Sequence, residues 1–187
     1  RVDGGKCEYA FNVGANISDF VYIGANLGIN SITYSYDEYF MEKAVDPADF
    51  EIGLDNGQSM FFEQMKYKYS YNADGTGVFG KFGVIVTPGF GLRIGAAVQT
   101  PTLTTMTETW AEDGETRFSN ESYSALSPYI EAQYSFRSPL RANFGIAYTL
   151  GSLGLISVDY EMCDYSKMRY DTNNTDWAYF EEVNDDI

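Results

Sequence analysis

Six polar residues that share one strand parity are the side chains of this chain best suited to chemistry: Arg93, Gln99, Glu131, Arg141, Asp159 and Glu161, joined by Glu8. In a confined, low-dielectric space arginine and carboxylate attract strongly, so paired they would tie one strand to the next. An arginine without such a partner could instead receive a ligand carboxylate. Several acids share the parity of Arg93 and Arg141, which favours the tying role. Catalysis has less to work with. The sequence contains no histidine, so no serine or cysteine has an imidazole base, and the commonest zinc and haem ligand is missing. Cys7 and Cys163 fall on opposite strand faces, which predicts two free thiols. With no CxxC or other metal spacing, neither a metal nor a cofactor is expected, and the chain reads as a non-enzyme.

The elements that must position these residues are strands. Between Lys81 and Pro101, Phe82, Val84 and Val86 alternate with Gly83, Ile85 and Thr87; beyond a Pro-Gly turn, Leu92, Ile94, Ala96 and Val98 alternate with Arg93, Gly95, Ala97 and Gln99. Period two on both sides of a turn is a β-hairpin. One face is aliphatic, and the other carries glycine, alanine, an arginine and an amide where a water-facing strand would carry lysine and glutamate, as the inner face of a lumen does. The same pattern predicts strands over 7–17, 21–36, 62–87, 92–110, 130–150 and 154–166. Within 62–87 the apolar phase changes near Asn72-Ala73-Asp74-Gly75, which predicts a bulge in one long strand or, alternatively, a separate hairpin. The run 130–150 keeps its phase through Pro139. Long connections are expected over 37–60, with a helical turn around 38–44, over 111–128 and over 167–187.

The net charge of −15 argues against nucleic acid as a partner, since phosphate neutralisation needs clustered lysine and arginine. No apolar run reaches the length of a spanning helix, so a membrane role must use strands. Six long strands separated alternately by short turns and long loops read as an all-β, antiparallel, up-and-down transmembrane β-barrel. Tyr34, Tyr36, Tyr67, Tyr69, Tyr71 and Tyr165 fall towards the long loops, as an aromatic girdle would, although tyrosine also simply favours strands. A secreted, lipocalin-like β-barrel holding a lipid inside would show the same alternation.

The stretches KFGVIVTPGFGLRIGAAVQTP (81–101) and GLISVDYEMCDYS (154–166) resemble the FadL/OmpP1/TodX outer-membrane transport proteins, especially members from Bacteroides-like bacteria, and the likeness covers nearly the whole chain. It implies about six strands of a larger barrel of about fourteen, whose remaining strands and N-terminal hatch lie outside this sequence. It also implies the outer membrane of a Gram-negative cell, contact with lipopolysaccharide, and passive uptake of long-chain fatty acids or other hydrophobic compounds. By position, Phe40, Met41, Phe50, Met60, Phe61, Phe62 and Trp110 would form an extracellular ligand-binding groove; mutual packing of loop residues is the other reading. Many members carry arginine where Gln99 stands, a position that helps to bind the ligand carboxylate. The neutral amide leaves room for an uncharged or amphipathic ligand.

Overall fold

The computed structural model describes residues 1–171 and 179–186. The chain is all-β, with eleven described strands in one antiparallel sheet: β1 (Val2–Ile17), β2 (Val21–Lys43), β3 (Glu51–Gly53), β4 (Ser59–Gly89), β5 (Leu92–Gln99), β6 (Leu103–Phe118), β7 (Ser122–Leu126), β8 (Ile130–Arg137), β9 (Arg141–Thr149), β10 (Leu155–Cys163) and β11 (Arg169–Tyr170). A short helix, α1, covers Tyr179–Asp185. Interruptions at 100–102 and 138–140 divide two of the six expected strands, giving β5 with β6 and β8 with β9, while β11 follows β10 after a break at 164–168. Each long run pairs with its neighbour in sequence, which makes the topology up-and-down.

The described chain forms two compact units. The first comprises Arg1–Gly5, Thr33–Asp74 and Thr107–Ala132; the second comprises Lys6–Ile32, Gly75–Met106 and the chain from Gln133 onwards. In the second unit the ladder β4-β5-β9-β10 sets Gly83 against Ala97, Gly95 against Gly145 and Gly145 against Asp159, and the β4–β5 register shifts only near the turn, between Val86 and Gly89. Short turns close its hairpins. Ser18 and Asp19 both adopt positive φ, 57° and 54°, as a two-residue hairpin turn with primed geometry requires. The Asp19 N–H donates to Asn16 Oδ1 at 3.0 Å, which offsets the cost of that conformation in residues other than glycine.

Apart from Ala142 on the aliphatic side, the strand residues buried here lie on the small-residue face. Asn30, Phe79, Thr102, Thr104 and Met106 are all at least nine-tenths buried, and a Cβ placed on Gly77 would lie 2.9 Å from Thr104 Oγ1. The Phe79 ring lies over Gly28, so closely that a Cβ there would stand 2.2 Å away; Lys81 Nζ covers the same ring at 4.8 Å from its centroid. The aliphatic face is left open: Phe11, Val13, Phe144, Ile146 and Val158 are all more than half exposed.

In the first unit tyrosines replace the glycines. Tyr34 packs edge-on against Tyr71 and Tyr36 tilts against Tyr69, with centroids 6.0 and 6.2 Å apart. The hydroxyls of Tyr67 and Tyr71 meet the carboxylates of Glu112 and Glu108. These tyrosines share strand parity with Asn30, Gly77 and Phe79. They also sit well inside β2 and β4, which run on to Lys43 and back to Ser59, so an outward girdle at the strand ends is not where they lie. Their placement explains the phase change in β4. The strand passes Asn72 to Gly75 with unbroken alternation of exposed and buried residues, so it contains neither the expected bulge nor a hairpin. The apolar residues change sides because tyrosines line the inner face before Asp74 and aliphatics line the outer face after Gly75.

The expected loops are largely structured. There is no helical turn at 38–44; β2 continues through it and pairing passes to Ala44, whose N–H donates to Glu63 O at 2.9 Å. The helical turn comes later, a 3-10 turn at Pro47–Asp49 capped by Asp46, because proline starts such turns more readily than it ends them. The segment 111–128 is a hairpin in which β6 extends to Phe118 and pairs with β7 from Asp113↔Leu126 to Arg117↔Ser122. Acidic and serine side chains hid its alternation. At 167–187 the described residues include β11 and α1 in place of loop, while 172–178 lie outside the described residues. One aromatic anchor suffices there: the buried Phe180 ring stacks on Tyr170 at 4.7 Å.

Gly28→Ala is expected to lower stability by about 1–3 kcal/mol in a urea or thermal melt of the refolded chain, because the added methyl has to displace a packed aromatic ring. Gly24→Ala, whose Cβ would meet only Val13 O at 3.8 Å, is expected to be neutral or slightly stabilising. Equal melts for the two variants would contradict the packing described.

Candidate functional site

Glycine and alanine on adjacent strands leave a sheet face without side chains, and the surface sinks. In the second unit Gly14, Gly24, Gly83, Gly95, Ala97 and Gly145 floor a depression of about 630 Å³, within the size range of small-molecule sites. Its polar margin is made by residues of the same parity. Asn26 Nδ2 donates to Asn12 Oδ1 at 2.7 Å, and Lys81 pairs with Glu8 at 3.6 Å. Asp159 reaches over Gly145, where a Cβ would lie 2.5 Å from its Oδ1. Mostly neutral amides and a backbone floor suit an apolar or amphipathic guest better than a charged one.

The expected polar set is only partly assembled. Arg141 lies 3.9 Å from Glu161 and donates to the Tyr165 hydroxyl at 3.3 Å. Glu161 also accepts from Asn143 at 3.5 Å. Arg141 thus has the tying role, loosely, since these side chains are about half exposed and such pairs contribute about 0–1 kcal/mol. Gln99 stands between Lys81 and Arg141 in register. Arg93 faces Ala147 and has no ion pair among the described residues, so the tie expected of it is not made. Asp159 lines the depression beside Asn143.

Glu131 is the clearest departure. Its expected place rested on a phase that survives Pro139, but the strand changes faces there. Ser135 Oγ meets Thr105 Oγ1 at 2.9 Å, opposite to Thr104, whereas Arg141 and Asn143 share the face of Gln99 and Ala97. The odd positions of β8 and of β9 therefore point to opposite sides, and Glu131 goes with Ser135. The matching reversal in the next strand falls at Thr100-Pro101-Thr102. Side chains fill in for the lost ladder: Thr100 Oγ1 accepts from Gly80 N–H at 2.9 Å, and Ser138 Oγ accepts from Thr102 N–H at 2.9 Å. Each proline sits where its missing N–H removes no ladder bond.

Of the seven groove residues, the structure gathers few. Phe50 packs edge-on against Phe62 at 6.3 Å, and the run continues through Phe118 at 6.1 Å to Tyr123 at 5.9 Å. Met60 faces Ile52 and shares the parity of Phe62. Phe61 points the other way, with its N–H bonded to Ser119 Oγ at 3.2 Å. Trp110 shares the parity of Glu108 and Glu112 on β6, the acids that meet tyrosines. Phe40 and Met41 are exposed near the end of β2. Phe118 and Tyr123 were missed because they belong to the hairpin read as loop; their spacing around a Ser-Asn turn was the available signal. The Glu121 carboxylate beside it raises the pKa of the Tyr123 hydroxyl by accepting its hydrogen bond.

Both thiols are free, with Cys7 exposed and Cys163 half-buried, and no group of three or more metal-ligating side chains occurs among the described residues. Comparison with protein-family models and with curated proteins finds no match for this chain.

Filling the depression tests it as a site. Gly83→Leu meets only ordinary contact at its Cβ, 3.6 Å from Ala97, and should fold. It is expected to weaken binding of a neutral hydrophobic fluorophore about tenfold or more by occupying the cavity, while Gly53→Leu, on an open surface of the first unit, leaves binding unchanged. Equal affinities in the two variants would mean that the probe binds elsewhere.

Proposed function

We propose that this chain forms part of the wall of an outer-membrane β-barrel that passes hydrophobic compounds, such as long-chain fatty acids or neutral lipophiles, into a Gram-negative cell by passive diffusion. One observation carries the reading: across β1, β2, β4, β5, β9 and β10 the aliphatic parity is exposed and the glycine-asparagine parity holds the depression. In water an uncovered face of that size would drive association. In a bilayer it is the face that lipid solvates, and the antiparallel ladder satisfies the backbone polar groups as a membrane interior demands. A lipid-binding module of the lipocalin kind would need the reverse, with aliphatics around the cavity and polar residues outside.

The likeness of 81–101 and 154–166 to FadL/OmpP1/TodX proteins points the same way. On this reading the depression belongs to the lumen, and its guests pass over glycine and amide rather than meeting a fixed cation, which fits the neutral Gln99. Traffic runs down a gradient with no cofactor and no covalent step.

The test is where the chain partitions and what it admits. Expressed in its native reading frame, the protein is expected in the outer-membrane fraction, to migrate differently before and after heating in detergent, and to speed the entry of labelled fatty acids or neutral hydrophobes. A soluble monomer with its apolar face hidden would overturn this function and favour a secreted lipid binder.

A further inference from the structure

The sequence carries 12 lysines and arginines against 27 carboxylates, yet three of the cations converge on one outward pocket of the second unit. Arg169 of β11 stands directly opposite Arg137 of β8 in the antiparallel register, an arrangement that costs stability because facing like charges repel. Lys167, in the 3-10 turn before β11, joins them around a pocket of about 380 Å³ whose apolar wall includes Pro101, Leu140 and Met162.

The charges are poorly balanced. Among the described residues no carboxylate pairs with Arg137 or Arg169, and the Arg137 guanidinium has no partner there. Arg169 donates through one nitrogen to the carbonyls of Ser166 and Met168, at 2.8 and 2.6 Å, which leaves its other donors free. Asp164 also borders the pocket, but it accepts from the N–H and hydroxyl of Ser166, at 3.1 and 2.6 Å. Three cations thus border this pocket with one carboxylate, Asp164, which is already engaged, and Asp171 stands with Arg137 and Arg169 at a neighbouring pocket.

The pocket lies at the end of the open aliphatic face. Arg137 and Arg169 point away from Phe136 and Tyr170, whose rings meet on the other side at 5.9 Å. Leu140 and Met162 are 45% and 51% exposed, and the same face continues through the register partners Phe144 and Tyr160. A cationic pocket adjoining an exposed apolar strip has the two-part chemistry of a lipid with an anionic headgroup.

We propose that this pocket binds the phosphate of an anionic membrane lipid, with the acyl chains lying along Leu140, Met162, Phe144 and Tyr160. The planar forks of two arginines suit the several oxygens of a phosphate, and a bound anion turns their mutual repulsion into shared attraction. Inorganic phosphate would satisfy the cations and leave the apolar strip bare. A peptide strand has no ladder to join here, because β8 already has β6 on one side and β11 on the other. The inference rests on the outward face meeting lipid and is independent of what passes through the depression.

The full chain, refolded in a neutral maltoside detergent, is titrated with a short-chain phosphatidylglycerol and with the phosphatidylcholine of the same chain length. Phosphatidylglycerol is expected to bind and phosphatidylcholine not. At about fivefold per surface charge, Arg137→Gln with Lys167→Gln should weaken that binding about thirtyfold, and Lys6→Gln should leave it unchanged. Arg137→Gln alone should raise the melting temperature in lipid-free detergent, whereas a merely structural arginine would lower it. Equal affinity for the two lipids, or full affinity in the double variant, overturns the proposal. Competition by inorganic phosphate at the lipid's own concentration reduces the site to a bare anion site, and tighter binding of an acidic peptide makes it a protein-docking surface; both overturn the lipid assignment. Fluorophore binding in the depression is followed on the same variants, so that its loss with phosphatidylglycerol binding intact counts against the proposed function alone.

Discussion

Backbone pairing between neighbouring strands holds this molecule together, because its side chains bury so little. No large side chain is fully buried among the described residues, and their buried apolar set is four alanines, two phenylalanines and one methionine. A water-soluble domain of this length would draw most of its stability from apolar burial. Here the hydrogen-bonded ladder is nearly all there is, and a ladder gains most where water does not compete for its donors and acceptors. The fold and the proposed setting are thus linked by one argument: the structure that leaves aliphatics outside is the one whose remaining bonds strengthen in lipid.

That same ladder fixes which side chain sees which side. Period two holds along a regularly paired strand, so exchanging faces takes a bulge or an interruption, and this chain interrupts its strands at two neighbouring places, Thr100 to Thr102 and Ser138 to Leu140. Their serine and threonine hydroxyls stand in for the lost backbone partners. The reversal moves Arg137 to the aliphatic side while Arg141, four residues later, stays on the glycine side. Two arginines that look equivalent in a parity count meet different surroundings.

The strand pattern, the order of the six long runs and the three short turns were legible in the sequence, because alternation and turn chemistry are local signals. The strand ends were not. β2 and β4 extend beyond the predicted limits because pairing with each other, rather than their own apolar period, sustains them, and Asp113 to Leu126 forms a hairpin from residues whose composition suggests loop. For the candidate site, parity puts Asp159, Arg141 and Glu161 on the glycine side, where the ladder also has them, but it puts Glu131 there too, since an interruption at a proline leaves the apolar rhythm intact while turning the backbone over. Phe50 and Phe62 were found by composition, and their partners Phe118 and Tyr123 depended on a register that only the paired structure reveals. The glycines of the depression were visible as an inner face, but not as a row, because their alignment is a property of neighbouring strands.

The end of the described chain bears on how the sheet stops. Asn184 of α1 accepts the Tyr170 N–H at 2.7 Å and donates to the Tyr170 carbonyl at 2.9 Å, so a side-chain amide reproduces the pair of bonds that a further strand would make. Exposed strand edges recruit other chains into mixed or runaway sheets. A helix that offers one amide occupies that edge without extending it, and it ties local fraying of the last strand to release of the helix: any partner seeking to add a strand beside Tyr170 has first to displace Asn184.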